Sequence, residues 1–274
     1  MELLAVVLHQ KIFHLIKSDL PKGAAMTEQQ RIAVTSILDS SKNLVFFTGA
    51  GISVPSGIPD FRSADGLYMQ REFEGASPEE IISHTYFYKH PATFYRFYRQ
   101  KMLYPDAKPN AAHHWIASLQ NENRHVTVVT QNVDGFHAQA GAETVFELHG
   151  SAHRNICPLC GSSYSMEQML SYLDSEGIPR CPKDHKMLKP DVTLYEEPLD
   201  SETIEGAIDA ISTADTMVII GTSLVVYPAA SFVRYFRGDH LILINKSETA
   251  YDGMAEIALY EDVIDVVSEL TKKS

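Results

Sequence analysis

Four short runs, Asn43–Thr48 (NLVFFT), His125–Thr130 (HVTVVT), Thr216–Gly221 (TMVIIG) and His240–Asn245 (HLILIN), are β-branched and apolar on both faces rather than on alternate residues. A strand of that kind has no solvent face, so it belongs in a parallel sheet covered by helices on both sides. Amphipathic helical stretches separate the runs, and the pattern predicts an α/β fold. Polar, helix-forming residues 27–41 precede the first strand, with Ile32, Val34, Ile37 and Leu38 as the expected inner face. Residues 66–110 carry Tyr86, Phe87, Tyr88, Phe94, Tyr95, Phe97 and Tyr98 and read as a helical insertion. From about 153 to 190 the character changes to cysteines, glycines and prolines with few long apolar runs, which reads as a small inserted module.

A length of 274 residues suits one large domain, or a large domain carrying a small one. The net charge of −12 argues against binding nucleic acid by neutralising phosphates, because that mode needs a basic surface. No apolar run reaches the roughly 18 residues of a membrane-spanning helix. Residues 1–25 open with Leu3, Leu4, Val6, Val7 and Leu8, but Glu2 precedes them and His9, Gln10 and Lys11 interrupt. A secretory signal wants positive charge followed by a longer apolar core, so this stretch reads as an amphipathic helix or a poorly ordered extension before a domain at 26–274. Three cysteines, Cys157, Cys160 and Cys181, are too few for a disulfide scaffold and point to a reducing, cytoplasmic setting.

The first strand breaks into FFTGAGISVPSGIPDFRS, residues 46–63. Gly49-Ala50-Gly51 at a strand's carboxyl end brings bare backbone to where a phosphate could approach, and doubly wound sheets bind nucleotides in that crevice. The spacing is not the dinucleotide fingerprint, since the next glycine is Gly57, and a plain tight turn is the alternative reading. Pro59-Asp60-Phe61-Arg62 adds weight: Arg62 suits a phosphate oxygen, and Phe61 suits covering a reactive ring and excluding water.

GAGISVPSGIPDFRS, TQNVDGFHAQAG (130–141), ELHG (147–150), GTSLVVYPAA (221–230) and INKSET (244–249) occur in this order. Together they resemble the sirtuin family of NAD-dependent protein-lysine deacylases, of bacterial type, from about residue 30 to the end. The resemblance implies a Rossmann-like parallel sheet with a small zinc-ribbon-type module. It also implies that NAD is consumed: an acyl-lysine oxygen attacks the ribose carbon bearing nicotinamide, an imidate forms, and water releases lysine and an acylated ADP-ribose. His149 then matches the family's general base, and imidazole suits that work because its ordinary pKa lies near neutrality. Asn132 and Gln131 are expected to orient ribose and water, with Asp134 and the Val133 backbone holding nicotinamide. Gly49, Ala50, Gly51, Ser53, Val54, Asp60, Phe61 and Arg62 are expected around the dinucleotide from one half of the sheet. Gly221, Thr222, Ser223, Asn245, Lys246 and Val263 are expected from the other. Taken alone, QNVDG is an ordinary strand-to-turn sequence and GTS an ordinary helix cap. Val192, Thr193, Leu194 and Tyr195, after Asp191, resemble the segment that pairs as a strand with an acyl-lysine peptide or protein.

Cys157-x-x-Cys160 and Cys181 have zinc-ribbon spacing with one cysteine missing. Asp184 stands at the fourth position and His185 follows it, so structural zinc is expected with the fourth ligand shared between those two candidates, and loss of metal is the alternative. Relatives that accept acidic acyl groups share a Tyr-x-x-Arg pair on the helix lining the acyl pocket. Here Tyr95 is followed by Tyr98, and Arg96 and Arg99 fall out of that register, which favours neutral acyl groups. Two other functions stand beside deacetylation: ADP-ribosyl transfer to protein on the same fold, and a non-catalytic NAD-binding or zinc-ribbon interaction module.

Overall fold

A computed structural model describes residues 25–61, 66–67 and 73–272. The expected N-terminal extension, apart from Ala25, and Arg62 lie outside them. The described strands are β1 (Asn43–Thr48), β2 (His125–Thr130), β3 (Thr144–Glu147), β4 (Gly150–Ile156), β5 (Ser163–Ser165), β6 (Lys189–Val192), β7 (Thr216–Ile220), β8 (His240–Ile244) and β9 (Ile257–Leu259). The described α-helices are α1 (Glu28–Ser40), α2 (Pro78–Ile81), α3 (His84–Lys89), α4 (Pro91–Lys101), α5 (Ala111–Ser118), α6 (Phe136–Gln139), α7 (Met166–Ser171), α8 (Ser201–Thr213) and α9 (Val263–Leu270). None of the helices among the described residues is long and apolar enough to cross a membrane.

Six strands form one parallel sheet in the order β3-β2-β1-β7-β8-β9. Its four central strands are the four apolar runs, and alternate residues of each go to opposite faces. Leu44 and Phe46 enter a core with Val34, Ile37 and Leu38 of α1, Trp115 and Ile116 of α5, and Val266 and Val267 of α9. Val45 and Phe47 enter the opposite core with Ala207 and Ile211 of α8. Trp115 meets Phe46 edge-on at 5.6 Å between ring centroids. The start of α1 is set locally: Thr27 Oγ1 accepts from Gln30 N at 3.2 Å while Thr27 N donates to Gln30 Oε1 at 2.9 Å. One expectation for that helix fails. Ile32 is 56% exposed, because the buried stripe runs through Gln30, Val34, Ile37 and Leu38, and residue 32 lies across the helix from it.

Outside the large sheet, β5-β4-β6 form a small antiparallel sheet. The helical insertion and the cysteine module, separate in sequence, share one core here. Ile81, Phe87, Phe94, Tyr95, Phe97 and Tyr98 pack with Met166, Met169, Leu188 and with Cys157 and Cys181. Phe94 and Tyr98, one helical turn apart on α4, stack at 5.6 Å.

The strand order, though not the strand direction, reverses between β1 and β7, and three glycines meet at that point. Gly51 N donates to Gly221 O at 2.8 Å, and Gly49 N to Ile220 O at 3.0 Å. A Cβ on Gly51 would lie 2.7 Å from Gly221 Cα, and one on Gly221, whose φ is +61°, would lie 2.5 Å from Ile52 N. Glycine is needed there so that two main chains can touch, a requirement independent of any ligand. Gly221→Ala is therefore expected to lose more than the about 1–3 kcal/mol of a strained backbone position alone. Gly57→Ala, at φ +87° with nothing among the described residues within 4 Å of the added carbon, is expected to lose only the backbone share. Denaturant midpoints of the two variants test this, and equal losses would remove close packing as the reason.

Candidate active site

Every strand of the large sheet from β3 to β8 delivers its carboxyl end to one cavity of about 1060 Å³, placed where the strand order reverses. From β1 come Gly49, Ala50, Gly51, Ser53 and Val54, followed by Asp60 and Phe61. Two short 3-10 turns carry this loop, and Asn110, the N-cap of α5, pins it by donating from Nδ2 to Ile52 O at 2.8 Å and to Ser56 Oγ at 2.9 Å.

From β2 come Gln131, Asn132, Val133 and Asp134. Asn132 is buried, and its Nδ2 donates to Gly49 O at 3.2 Å and to Ser53 Oγ at 3.1 Å. Ser53 in turn donates to Asp134 Oδ2 at 2.7 Å, and Phe136 N to Asp134 Oδ1 at 3.0 Å. Burial raises the Asp134 pKa, and those two hydrogen bonds oppose the rise by favouring the carboxylate. Gln131 reaches across the reversal point, Nε2 to Thr222 Oγ1 at 3.0 Å, and ties β2 to β7.

From β3 comes His149, half-buried, with Nδ1 2.8 Å from Gln131 O. A carbonyl oxygen only accepts, so Nδ1 carries the proton and Nε2 keeps its lone pair. Burial lowers the His149 pKa, with the Gln131 carbonyl pulling weakly the other way. From β7 come Gly221, Thr222 and Ser223, and from β8 Asn245 and Lys246. Asn245 Nδ2 donates to Ser247 O at 2.8 Å, and Lys246 Nζ pairs with Asp262 at 2.7 Å, beside Val263 at the start of α9. Every expected dinucleotide residue among the described ones lines this cavity.

Val192, Thr193, Leu194 and Tyr195 line the same cavity from the far side. Thr193 N donates to His149 O at 2.9 Å, while Tyr195 N donates to Ile82 O at 3.0 Å and His84 N to Tyr195 O at 2.9 Å. This segment therefore joins the large sheet to the helical insertion. Sequence reasoning missed Met102, Leu103 and Tyr104, which line the cavity just after α4, and His153, whose Nε2 donates to Asp134 O at 2.7 Å. Only the fold brings these residues to the cleft, and no local motif marks them.

The sulfurs of Cys157, Cys160 and Cys181 and a carboxylate oxygen of Asp184 all lie within 4.8 Å of one another. Cys160 Sγ is 3.7 Å from Cys181 Sγ, and Cys157 Sγ is 3.3 Å from Asp184 Oδ2. Ligands about 2.0–2.3 Å from one tetrahedral zinc ion stand at such separations, so the set fits structural zinc. Lys186 N donates to Asp184 Oδ1 at 2.9 Å and helps hold that carboxylate ionised, as a ligand must be. His185 is not part of the set, and of the two candidates for the fourth position the structure brings in Asp184.

A model of the Sir2 family matches residues 49–228. An NAD-dependent protein deacetylase of Clostridium acetobutylicum is 49% identical over 227 residues, covering 83% of this chain and 92% of the relative. A second, from Clostridium perfringens, is 48% identical over 235 residues, covering 85% and 95%. A solved Sir2 structure with a p53 peptide and NAD+ superposes with a TM-score of 0.74 at 34% identity, covering 87% of this chain and 95% of that one. The chain belongs to the Sir2 family, the sirtuins.

The mixed ligand set has a measurable consequence. Asp184→Ala should weaken zinc binding by about tenfold or more, since loss of even an outer-shell partner typically costs that much. Asp184→Cys should tighten it. Chelator competition with zinc-loaded protein reads both, and unchanged affinity in the alanine variant would exclude the carboxylate as a ligand.

Proposed function

We propose that this cleft cleaves NAD at its nicotinamide–ribose bond with an acetyl-lysine side chain as acceptor, giving free lysine, nicotinamide and an acetylated ADP-ribose with one water consumed. The chain is an NAD-dependent protein deacetylase of the sirtuin family, and NAD is its co-substrate. One observation carries the residue-level reading: a single cavity at the sheet's reversal point is lined by the glycine turn, by Asn132 and Asp134, and by His149. In this reading the backbone of Gly49–Gly51 and the Thr222–Ser223 turn hold the pyrophosphate from two sides. Asn245, Lys246 and Val263 meet the adenosine end. Asp134, fixed by Ser53 and Phe136, meets the nicotinamide amide with Val133, and Asn132 and Gln131 orient ribose and water. His149 Nε2 takes a proton from a ribose hydroxyl, for which its tautomer leaves the lone pair available. Val192–Tyr195 receive the substrate backbone as an added strand, with Phe61 helping to exclude water.

Zinc, held by Cys157, Cys160, Cys181 and Asp184, supplies a structural cross-link to the small lobe when bound, and no step of the reaction uses it. A preference for neutral acyl groups is supported by where the α4 side chains go. Tyr95 and Tyr98 are fully buried, with the Tyr95 hydroxyl donating to Leu188 O. Arg96 pairs with Glu74 at 2.6 Å, and Arg99 donates to Gly177 O. No arginine among the described residues lines the cavity to receive an acidic acyl group. Residues 26–274 form the catalytic unit in this reading, with residues 1–25 an extension. The free Cys157, Cys160 and Cys181 suit a reducing, cytoplasmic compartment.

Mass spectrometry of products from purified protein, NAD and acetyl-, longer-acyl- and succinyl-lysine peptides tests this. Deacetylated peptide with acetyl-ADP-ribose is expected, and turnover of the succinyl peptide is expected to be far lower. Label from NAD ending on protein would point to ADP-ribosyl transfer instead. His149→Tyr should abolish turnover while leaving the fold intact. The pH profile follows from burial. His149 acts as a base only when neutral, and its pKa lies below the ordinary 6.5, so activity should persist below pH 6.5 and fall as pH drops through the lowered value. An acid limb centred above pH 6.5 would contradict His149 as the base.

A further inference from the structure

We propose that His137 is a positioning residue for Asn132, acting through the hydroxyls of Thr48 and Thr130; this rests on the reading of Asn132 as a group that orients ribose and water. Thr48 and Thr130 are the last residues of β1 and β2 and face each other in register. Thr48, Thr130 and His137 are buried, at 0%, 3% and 2% exposure, so bulk water does not compete for their hydrogen bonds. Thr48 Oγ1 donates to Thr130 Oγ1 at 2.8 Å, and Asn132 N donates to that same Thr130 oxygen at 3.1 Å. The Thr48 hydroxyl has one proton, and it is already given to Thr130. Its contact with His137 Nε2, at 2.9 Å, must therefore be one in which the imidazole donates.

That assignment fixes the direction of the whole chain, from His137 Nε2–H to Thr48 to Thr130, ending on the oxygen that receives the Asn132 amide. It also leaves His137 Nδ1 as a bare lone pair, and that buried atom has no hydrogen-bond partner among the described residues. A leucine in the same space would spare the protein this unsatisfied atom, so the donor at Nε2 is what the imidazole contributes. The ring is held by His113, 4.9 Å away and tilted against it, and His113 Nδ1 accepts from Asn110 N at 3.2 Å. Both rings are kept neutral by burial, His113 with its pKa pushed down to about 4 and His137 to about 3. Asn110 is the residue that pins the glycine loop, so the relay and the loop share one anchor. Removing the donor frees the Thr48 hydroxyl to turn away from Thr130. The Asn132 main chain then loses a fixed acceptor while its side-chain bonds to Gly49 and Ser53 remain possible.

The experiment compares the full-length wild type with His137→Leu, His137→Gln and Thr48→Val, measuring kcat, KM for NAD and for an acetyl-lysine peptide, thermal midpoint, and hydrogen exchange at the Asn132 amide. His137→Leu should lower kcat by about tenfold to a hundredfold, as small misplacements of reacting groups do, with both KM values within about twofold. His137→Gln, whose amide N–H reaches where Nε2–H does, should recover most of the rate. Thr48→Val should repeat the loss if His137→Leu fails to fold. Asn132 amide protection should fall in the leucine and valine variants and hold in the glutamine variant, a readout that needs no turnover. Folded leucine and valine variants with wild-type kcat and Asn132 protection would overturn the relay, as would a glutamine variant no better than leucine. A wild type inactive on every acyl peptide would overturn the deacetylase reading instead, while exchange at Asn132 would still decide the relay.

Discussion

The contact between the main chains at Gly49, Gly51 and Gly221 is the constraint on which this molecule depends. Two halves of a parallel sheet run outward from β1 and β7, and their first loops must cross within van der Waals contact for the strands to stay paired. Any side chain at those positions would wedge the halves apart. Because the loops are forced together, the carboxyl ends of strands from both halves open on one shared crevice rather than on two separate surfaces.

Around that contact the polar groups form a continuous set rather than a scatter of individual ligands. Gln131 ties β2 to β7 through Thr222, Asn132 ties the turn after β2 to Gly49, and Ser53 ties the glycine loop to Asp134. The same Gln131 offers its carbonyl to His149 and thereby selects the imidazole tautomer. Gln131, Asn132, Ser53 and His149 are each held by a partner from another strand end, which is the arrangement that keeps a site geometry from relaxing.

The small lobe contributes the opposite wall. Its core contains Cys157 and Cys181 together with the aromatic side chains of α4, so a metal at the cysteine set and the packing of the helical insertion support the same structure. Tyr195, bonded to Ile82 and His84, carries that support to the edge of the cleft. Asp184 in place of a fourth sulfur is where this chain departs from the all-cysteine pattern, and its position among the three thiols fits the same role.

Much of this was legible in the chain. The four central strands were readable because burial on both faces leaves an unbroken apolar run, and the ordered motifs named the family and the residues of the cavity. Weaker signals were lost. β9 is three residues long and β4 to β6 lie in a stretch of mixed polarity, so neither leaves a periodic pattern long enough to read. Ile32 was misassigned because a helix's inner face depends on which stripe meets the sheet, and hydrophobicity alone does not say. The sequence by itself determined the strand identities, the motifs that carry His149, Asn132 and Asp134, and the three-sulfur spacing, since these depend on residue type and local order. Only the tertiary structure decided that the helical insertion and the cysteine module form one core, that Met102, Leu103 and His153 face the cleft, and that His137 is joined to Thr48 and Thr130. Those are contacts between segments far apart in the chain, or side-chain orientations fixed by such contacts, and local order does not encode them.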